Sequence, residues 1–282
     1  MTTSPRLTDY KVLVFDCYGT LVDWETGIYE GLKPLLLRFP GAGWSRGEAL
    51  EGLERAEKKI QAADPALLYP DVLAKSYLEL ENELVERFAD GNTPSSSSAE
   101  DAKAFGASIK NWPLFPDTAA ALRELSKTYK LCILSNVDRG SFAHTHAKLS
   151  TGDTNALASP FYSPDPAQEW WFPQRIPGAD SPFSMILTAE QVKSYKPALP
   201  GFLKALEIIR DELIGGEDAV KNTMWVAQSL HHDIEPSHKL GLRSTWINRG
   251  GAAMGAEKGP PKYTWTFSSM GAFAEAVKNE KA

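Results

Sequence analysis

Residues 11–21 read KVLVFDCYGTL. Residues 11–15 form a short, continuous apolar run that stops abruptly at Asp16, with Gly19 close behind. An unbroken apolar run of this length suits a strand buried on both faces, as in a parallel sheet. Four later segments have the same form. Residues 131–134 (LCIL) end at Ser135 and Asn136, and 184–187 (SMIL) end at Thr188. Residues 224–227 (MWVA) end at Gln228 and Ser229, and 245–247 (TWI) end at Asn248 and Arg249. Helical patterns over 118–127, 201–212 and 234–240 separate these segments. Strand and helix in alternation predict an α/β fold. In open parallel sheets, ligands sit beyond the carboxyl ends of the strands, and all these polar terminators fall there.

One stretch breaks the alternation. From residue 24 to residue 110 there are helical patterns and no strand. The patterns cover 28–39, 48–62, 72–88 and 99–109, with a polar, low-complexity loop over 90–99. Leu73, Tyr77, Leu80, Leu84 and Phe88 recur near helical spacing. This reads as a helical module inserted after the first strand, expected to sit over the strand ends as a cap. A second insertion, 150–182, is rich in Pro, Gly, Ser and Asp but carries Phe161, Tyr162, Trp170, Trp171 and Phe172. A disordered linker would hold fewer aromatics. The segment is therefore expected to be ordered and packed beside the cap or across a dimer contact, narrowing access to Asp16. The tail after Met270 is expected to be a last helix, frayed over 278–282.

Composition narrows the function. The 282 residues are 43% hydrophobic and 23% charged, enough for a full core. A net charge of -6 gives no electrostatic reason to bind nucleic acid or an anionic membrane. No apolar run is long enough to span a bilayer, and the polar start shows no secretory pattern. Cys17 and Cys132 both lie in or beside apolar, strand-like runs, so a disulfide framework is not expected and a reducing, cytoplasmic setting is.

The residue types at the strand ends bear on chemistry. Gly19 permits a sharp turn, and free backbone N–H groups there can hold an anion. A carboxylate at Asp16 can attack an electrophile and form a covalent intermediate. It can equally cap the turn that follows. His231 and His232 precede Asp233; one could serve as a base, while helix-surface and packing roles serve as well. His144 and His146 are expected to cap or decorate a helix, and Trp24 and Trp112 to flank the junction of cap and core. No His, Cys or carboxylate spacing supports a closed zinc site.

VFDCYGTL (14–21) resembles the first motif of the haloacid dehalogenase superfamily. LCILSN (131–136) resembles its second, SYKP with Lys196 its third, and VAQSLHHD ending at Asp233 its fourth. Their order and spacing agree from residue 11 to residue 249. The resemblance implies a Rossmann-like parallel-sheet core over residues 1–21 and 111–282, with an inserted helical cap domain over 22–110. Phosphatases of this superfamily carry a second Asp two residues after the nucleophile, where this chain has Tyr18. They also carry a Gly-Asp pair that helps bind Mg²⁺, where this chain has Ala227-Gln228. An amide is a poor Mg²⁺ ligand. The run D-x-Y-G-T-L is similar to the 2-haloacid dehalogenase branch, which works without a metal, so no cofactor is expected.

The activity this implies is a two-step displacement. Asp16 attacks the halogen-bearing carbon of a 2-haloacid, and water then hydrolyses the ester to a 2-hydroxy acid. Thr20, Ser135 and Asn136 would fix the nucleophile and the substrate carboxylate. Lys196 would hold Asp16 ionised, and Asp233 would orient Lys196 or the water. Tyr18 and Gln228 are further candidates for substrate contact. Arg55, in GEALEGLER (47–55), is the candidate for the arginine that contacts the halide. The chain departs from that branch at Gln228 and Leu230, in place of Ser and Asn, and at Phe202, in place of Tyr. The expected partner is a small-molecule carboxylate substrate, with a homodimer allowed. The alternatives are a phosphatase-type hydrolase of the same superfamily and a non-catalytic binding protein that retains the fold.

Overall fold

The computed structural model describes residues 4–64, 67–89, 96–250 and 262–281. The chain divides into two compact units, one formed by Met1–Asp23 with Leu114–Ala282 and the other by Trp24–Pro113. The breaks fall two and three residues later than 21/22 and 110/111. The reason is local: Val22 is bridged to Leu114, and the Phe115 N–H donates to the Leu21 carbonyl at 3.2 Å, so both segments belong to the sheet-bearing unit.

The larger unit is an α/β core with a six-stranded, wholly parallel, Rossmann-like sheet. Its strands are β1 (Val12–Phe15), β2 (Lys130–Ser135), β3 (Phe183–Thr188), β4 (Thr223–Ala227), β5 (Arg243–Ile247) and β6 (Trp265–Phe267), in the order β3-β2-β1-β4-β5-β6. Every residue of β1, β3 and β4 is buried, which is why their sequences read as unbroken apolar runs rather than alternating ones. Alternate residues Val12, Val14, Cys132, Leu134, Met185, Leu187, Trp225 and Ala227 share one hydrophobic cluster with Phe202, Ala205, Leu206 and Ile209. Cys17 and Cys132 are free, buried thiols. The sixth strand is an addition to the five expected from sequence.

The smaller unit holds α1 (Trp24–Leu36), α2 (Arg46–Ala63), α3 (Tyr69–Phe88) and α4 (Ala99–Gly106). Helices α2 and α4 begin with reciprocal caps, Ser45 with Glu48 and Ser98 with Asp101. Leu73, Tyr77, Leu80 and Leu84 form the buried stripe of α3. Trp112 fills the space beside Gly27, where a Cβ would lie 2.2 Å from the indole, so Trp112 packs within the helical unit itself. The expected loop over 90–99 falls partly outside the described residues.

Helices α5 (Thr118–Leu125) and α6 (Arg139–Thr151) flank β2 in sequence. The short α7 (Ala189–Val192), then α8 (Pro200–Ile208), α9 (Ala219–Asn222) and α10 (Glu235–Lys239) follow β3 and β4. The chain closes with α11 (Met270–Lys281). This last helix is not frayed from 278. Its Glu280 carboxylate accepts the N–H groups of Leu7 and Thr8 at 3.1 and 2.9 Å, which fastens the last turn to the start of the chain; Ala282 lies outside the described residues.

The insertion over 150–182 is anchored on the core's own edge strand. Trp171 is bridged antiparallel to Ile186 of β3, whose N–H donates to the Trp171 carbonyl at 2.9 Å. Its indole is 2% exposed and meets Phe142 edge-on. Trp171 is thus a core residue, and it covers part of an edge that would otherwise leave backbone groups unpaired. His146, expected to cap or decorate a helix, is instead fully buried on α6. Its Nδ1 donates to the Tyr162 carbonyl (3.0 Å), so in the neutral ring Nε2 accepts from the Ser181 hydroxyl (2.7 Å). Burial pushes its pKa down to about 4. An unfolded chain takes up this proton near the ordinary value of about 6.5, so it binds more protons between the two values. Stability is therefore complete above pH ~6.5 and falls as pH drops towards 4, by about 3 kcal/mol from this group. His146→Gln, which keeps a donor and an acceptor but cannot titrate, should flatten the melting temperature between pH 6.5 and 4. An unchanged slope would assign the loss to another group.

Candidate active site

β1 and β4 are neighbours at the point where the strand order reverses, and a crevice opens beyond the carboxyl ends at such a point. Asp16 follows β1 directly, and its N–H donates to Val226 of β4 at 3.1 Å. Gly19 adopts a φ of 98°, a region open to glycine, and its N–H donates to the Val22 carbonyl at 2.8 Å. The tight loop so formed turns Thr20 back on Asp16. The Thr20 hydroxyl donates to Asp16 Oδ2 at 2.7 Å and accepts from the Gln228 N–H at 2.9 Å.

Lys196 lies in the loop between α7 and α8. Its Nζ donates to Asp16 Oδ1 at 2.7 Å and to Asp233 Oδ1 at 2.8 Å. Burial acts to lower the pKa of this ammonium, but the two carboxylates outweigh it and hold the value above the ordinary one. Asp233 sits on a π turn, Leu230–Ile234, that precedes α10. Such widened turns recur at functional sites because they re-aim a side chain. Asp233 Oδ1 also accepts from Trp225 Nε1 at 3.1 Å, while Oδ2 is buried and has no hydrogen-bond partner among the described residues. Burial, together with the nearby Asp16 charge, raises the Asp233 carboxyl well above the usual carboxylate range, against the pull of Lys196.

The structure brings Asp16, Thr20, Lys196 and Asp233 together through these bonds. Ser135 ends β2 with its hydroxyl buried and unpartnered among the described residues. Asn136 is occupied differently from the expectation of a substrate contact. Its Oδ1 accepts from the Lys196 N–H at 2.7 Å and its Nδ2 donates to the Lys196 carbonyl at 3.0 Å, so it clamps the backbone that presents the lysine. The Tyr18 phenol is bonded to the Thr145 hydroxyl on α6 at 3.0 Å, and burial raises its pKa well above the ordinary value. Gln228 enters through its backbone, donating to Thr20 and accepting from Trp246 Nε1 at 2.8 Å. Arg55 belongs to the helical unit and pairs with Glu83 at 3.0 Å with most of its side chain in water, the surroundings of a solvated helix residue. His231 and His232 are exposed.

Sequence reading missed Trp225, which looks like any strand residue until its indole nitrogen meets Asp233. Phe202 stacks on that indole with ring centroids 4.6 Å apart, so a residue that departs from the dehalogenase pattern supports the site from the core.

Residues 10–220 match the family model of the haloacid dehalogenase-like hydrolases. The chain belongs to this family. No curated protein sequence matches it. Among solved structures, it is similar to the L-2-haloacid dehalogenase from Xanthobacter autotrophicus, with 15% identity, a TM-score of 0.63, and coverage of 95% of this chain and 98% of that one. It is similar to the defluorinating L-2-haloacid dehalogenase Rha0230 at 15% identity and a TM-score of 0.63, covering 98% and 100%. The putative hydrolase YfnB from Bacillus subtilis, bound to magnesium, matches at 14% identity and a TM-score of 0.60, covering 95% and 99%. At these identities the likeness concerns the fold. No helix among the described residues is long and apolar enough to cross a membrane.

Proposed function

We propose that the chain is a metal-independent hydrolase that converts a small 2-halocarboxylic acid to a 2-hydroxy acid, with Asp16 as the nucleophile. The observation that carries this reading is the set of donors around Asp16 and Asp233: Tyr18 is tied to Thr145, Gln228 is an amide, and among the described residues no third carboxylate, His or Cys joins the two carboxylates. An Asp16 oxygen attacks the carbon bearing the halogen; a C–O bond forms as the C–halogen bond breaks, and halide leaves with the electron pair. Water then adds to Asp16 Cγ, the acyl C–O bond breaks, and the 2-hydroxy acid departs with the carboxylate restored and one proton released.

Thr20 and Lys196 hold Asp16 oriented, and the lysine balances the negative charge of nucleophile and substrate. The unpartnered Ser135 hydroxyl suits the substrate carboxylate. Asp233, with its raised pKa and open Oδ2, suits the proton of the hydrolytic water. A hard divalent cation takes six or more oxygen ligands and favours carboxylates. With two carboxylates, an amide at Gln228 and a phenol held by Thr145, this donor set does not fit Mg²⁺. A cytoplasmic location, a homodimer and a small-molecule carboxylate as partner belong to the same proposal.

The test is a screen of 2-haloacids beside phosphate esters, with and without EDTA, for halide and phosphate release. Halide release indifferent to EDTA is expected, together with no heat of Mg²⁺ binding in a calorimetric titration. Phosphate release abolished by EDTA would move the chain to the phosphatase reading. No turnover of either class would favour the binding protein.

A further inference from the structure

Arg249 stands just beyond β5, and its side chain is only 10% exposed. Its Nη2 and Nε donate to the Thr20 carbonyl at 2.9 and 3.3 Å, and its Nη1 pairs with Asp117 Oδ1 at 2.7 Å. The guanidinium lies over the Phe115 ring, 3.9 Å from its centroid. Asp117 is itself fixed, since its Oδ2 accepts the Gly271 N–H at 2.9 Å. Burial alone would raise the Asp117 carboxyl, but Arg249 and that N–H hold it below its ordinary value.

Thr20 is the residue whose hydroxyl aims Asp16. That hydroxyl has one proton. Because Gln228 N–H donates into its oxygen, the proton is directed to Asp16 Oδ2. Where the hydroxyl sits depends on the Thr20 backbone, and the Thr20 N–H makes only a 3.2 Å turn bond to Cys17. The guanidinium fork fixes the other end of the residue. A lysine could not replace it, because a point donor cannot span Thr20 and Asp117 together.

We infer that Arg249 is a positioning residue for the nucleophile: through the Thr20 carbonyl it sets the hydroxyl that orients Asp16. This rests on the proposed role of Asp16. The competing role is purely structural, a staple between the nucleophile loop and residues 115–117.

The test is a double-mutant cycle of Arg249→Met and Thr20→Val, with Arg249→Lys as a milder second variant. In single-turnover halide release, Arg249→Met should slow ester formation about tenfold to a hundredfold, as for a slightly misplaced reacting group, with KM within about twofold. Added to Thr20→Val, it should cost little more, because both act through one hydroxyl. Losses that multiply, or a wild-type rate in Arg249→Met and Arg249→Lys, would overturn the inference. If wild type releases no halide from any 2-haloacid, the proposed function fails, and the ¹³C chemical shift of the Asp16 carboxyl at one fixed pH decides this inference without substrate. That signal should move in Arg249→Met towards its position in Thr20→Val, as the Thr20 hydrogen bond to Asp16 is displaced, and Arg249→Met should add no further change to Thr20→Val. An unmoved Asp16 signal in Arg249→Met overturns it.

Discussion

Asp16→Asn should fold like wild type and lose at least about 10⁴-fold in turnover, the scale of losing a catalytic nucleophile. The amide matches the carboxylate in shape, and the surroundings can accommodate it. The amide oxygen can accept from Lys196, as Oδ1 does now at 2.7 Å. The amide NH₂ can donate to the Thr20 hydroxyl, which then turns its proton elsewhere. Lys196 keeps Asp233 as its counter-ion at 2.8 Å, so no buried charge is left without a partner. Stability should stay within about 1 kcal/mol, the worth of one hydrogen bond. What vanishes is the nucleophile, because a neutral amide oxygen displaces halide far more slowly than a carboxylate. Single turnover in H₂¹⁸O with wild-type enzyme in excess should place the label in the Asp16 peptide, since the water oxygen enters Cγ. Wild-type turnover by Asp16→Asn, shown by mass spectrometry to be free of deamidation, would remove Asp16 from the mechanism.

The parts of the molecule legible in the sequence are those specified over short distances. β1 to β5 show as apolar runs because each is mostly buried and each gives way to a polar residue. β6 does not, because it is a three-residue edge strand whose residues are all partly or largely exposed. The π turn carrying Asp233 reads as the approach to a helix at Ile234, since its one extra residue per turn leaves no mark in a polar stretch. Asp16, Thr20, Lys196 and Asp233 are brought together as the motif order implied. Asn136 differs because its role depends on the Lys196 backbone, sixty residues away, whose path no motif specifies. Trp225, Thr145 and Asp117 are invisible for the same reason, and Arg249 shows only as a polar residue at the end of an apolar run. Arg249 reaches Thr20 across 229 residues of chain, and such a pair has no local signature.

Lys196→Met should be the most damaging substitution to the fold within the site, and its cost should depend on pH. The ammonium is 4% exposed and is shared by two carboxylates, one of them wholly buried. Methionine fills similar space without the charge. Asp16 then keeps the Thr20 hydroxyl, and Asp233 keeps the Trp225 N–H, but two like charges face each other in a poorly solvated site. They cannot both ionise at little cost, so one carboxyl should hold its proton to neutral pH or beyond. Halide release should fall by about 10³-fold, since the charge that orders the nucleophile and balances the substrate is gone. Stability should fall by about 3–5 kcal/mol at pH 8, the usual cost of removing one partner from a buried pair. The sign of the pH dependence follows from proton counts. Unfolded carboxylates release their protons near pH 4, whereas the variant's native state keeps one above that. The native state then binds more protons, and stability falls as pH rises. Asp233, raised already, gives wild type some of this slope. The raised pKa of Lys196 works the other way: its contribution is complete below the ordinary lysine value of 10.5 and is lost only as pH rises past it. The decisive quantity is therefore the difference between the two proteins. Melting temperatures of variant and wild type should converge towards pH 4 and separate towards pH 8. A deficit that is constant across that range, or that grows on the acid side, would mean that Lys196 contributes packing rather than charge.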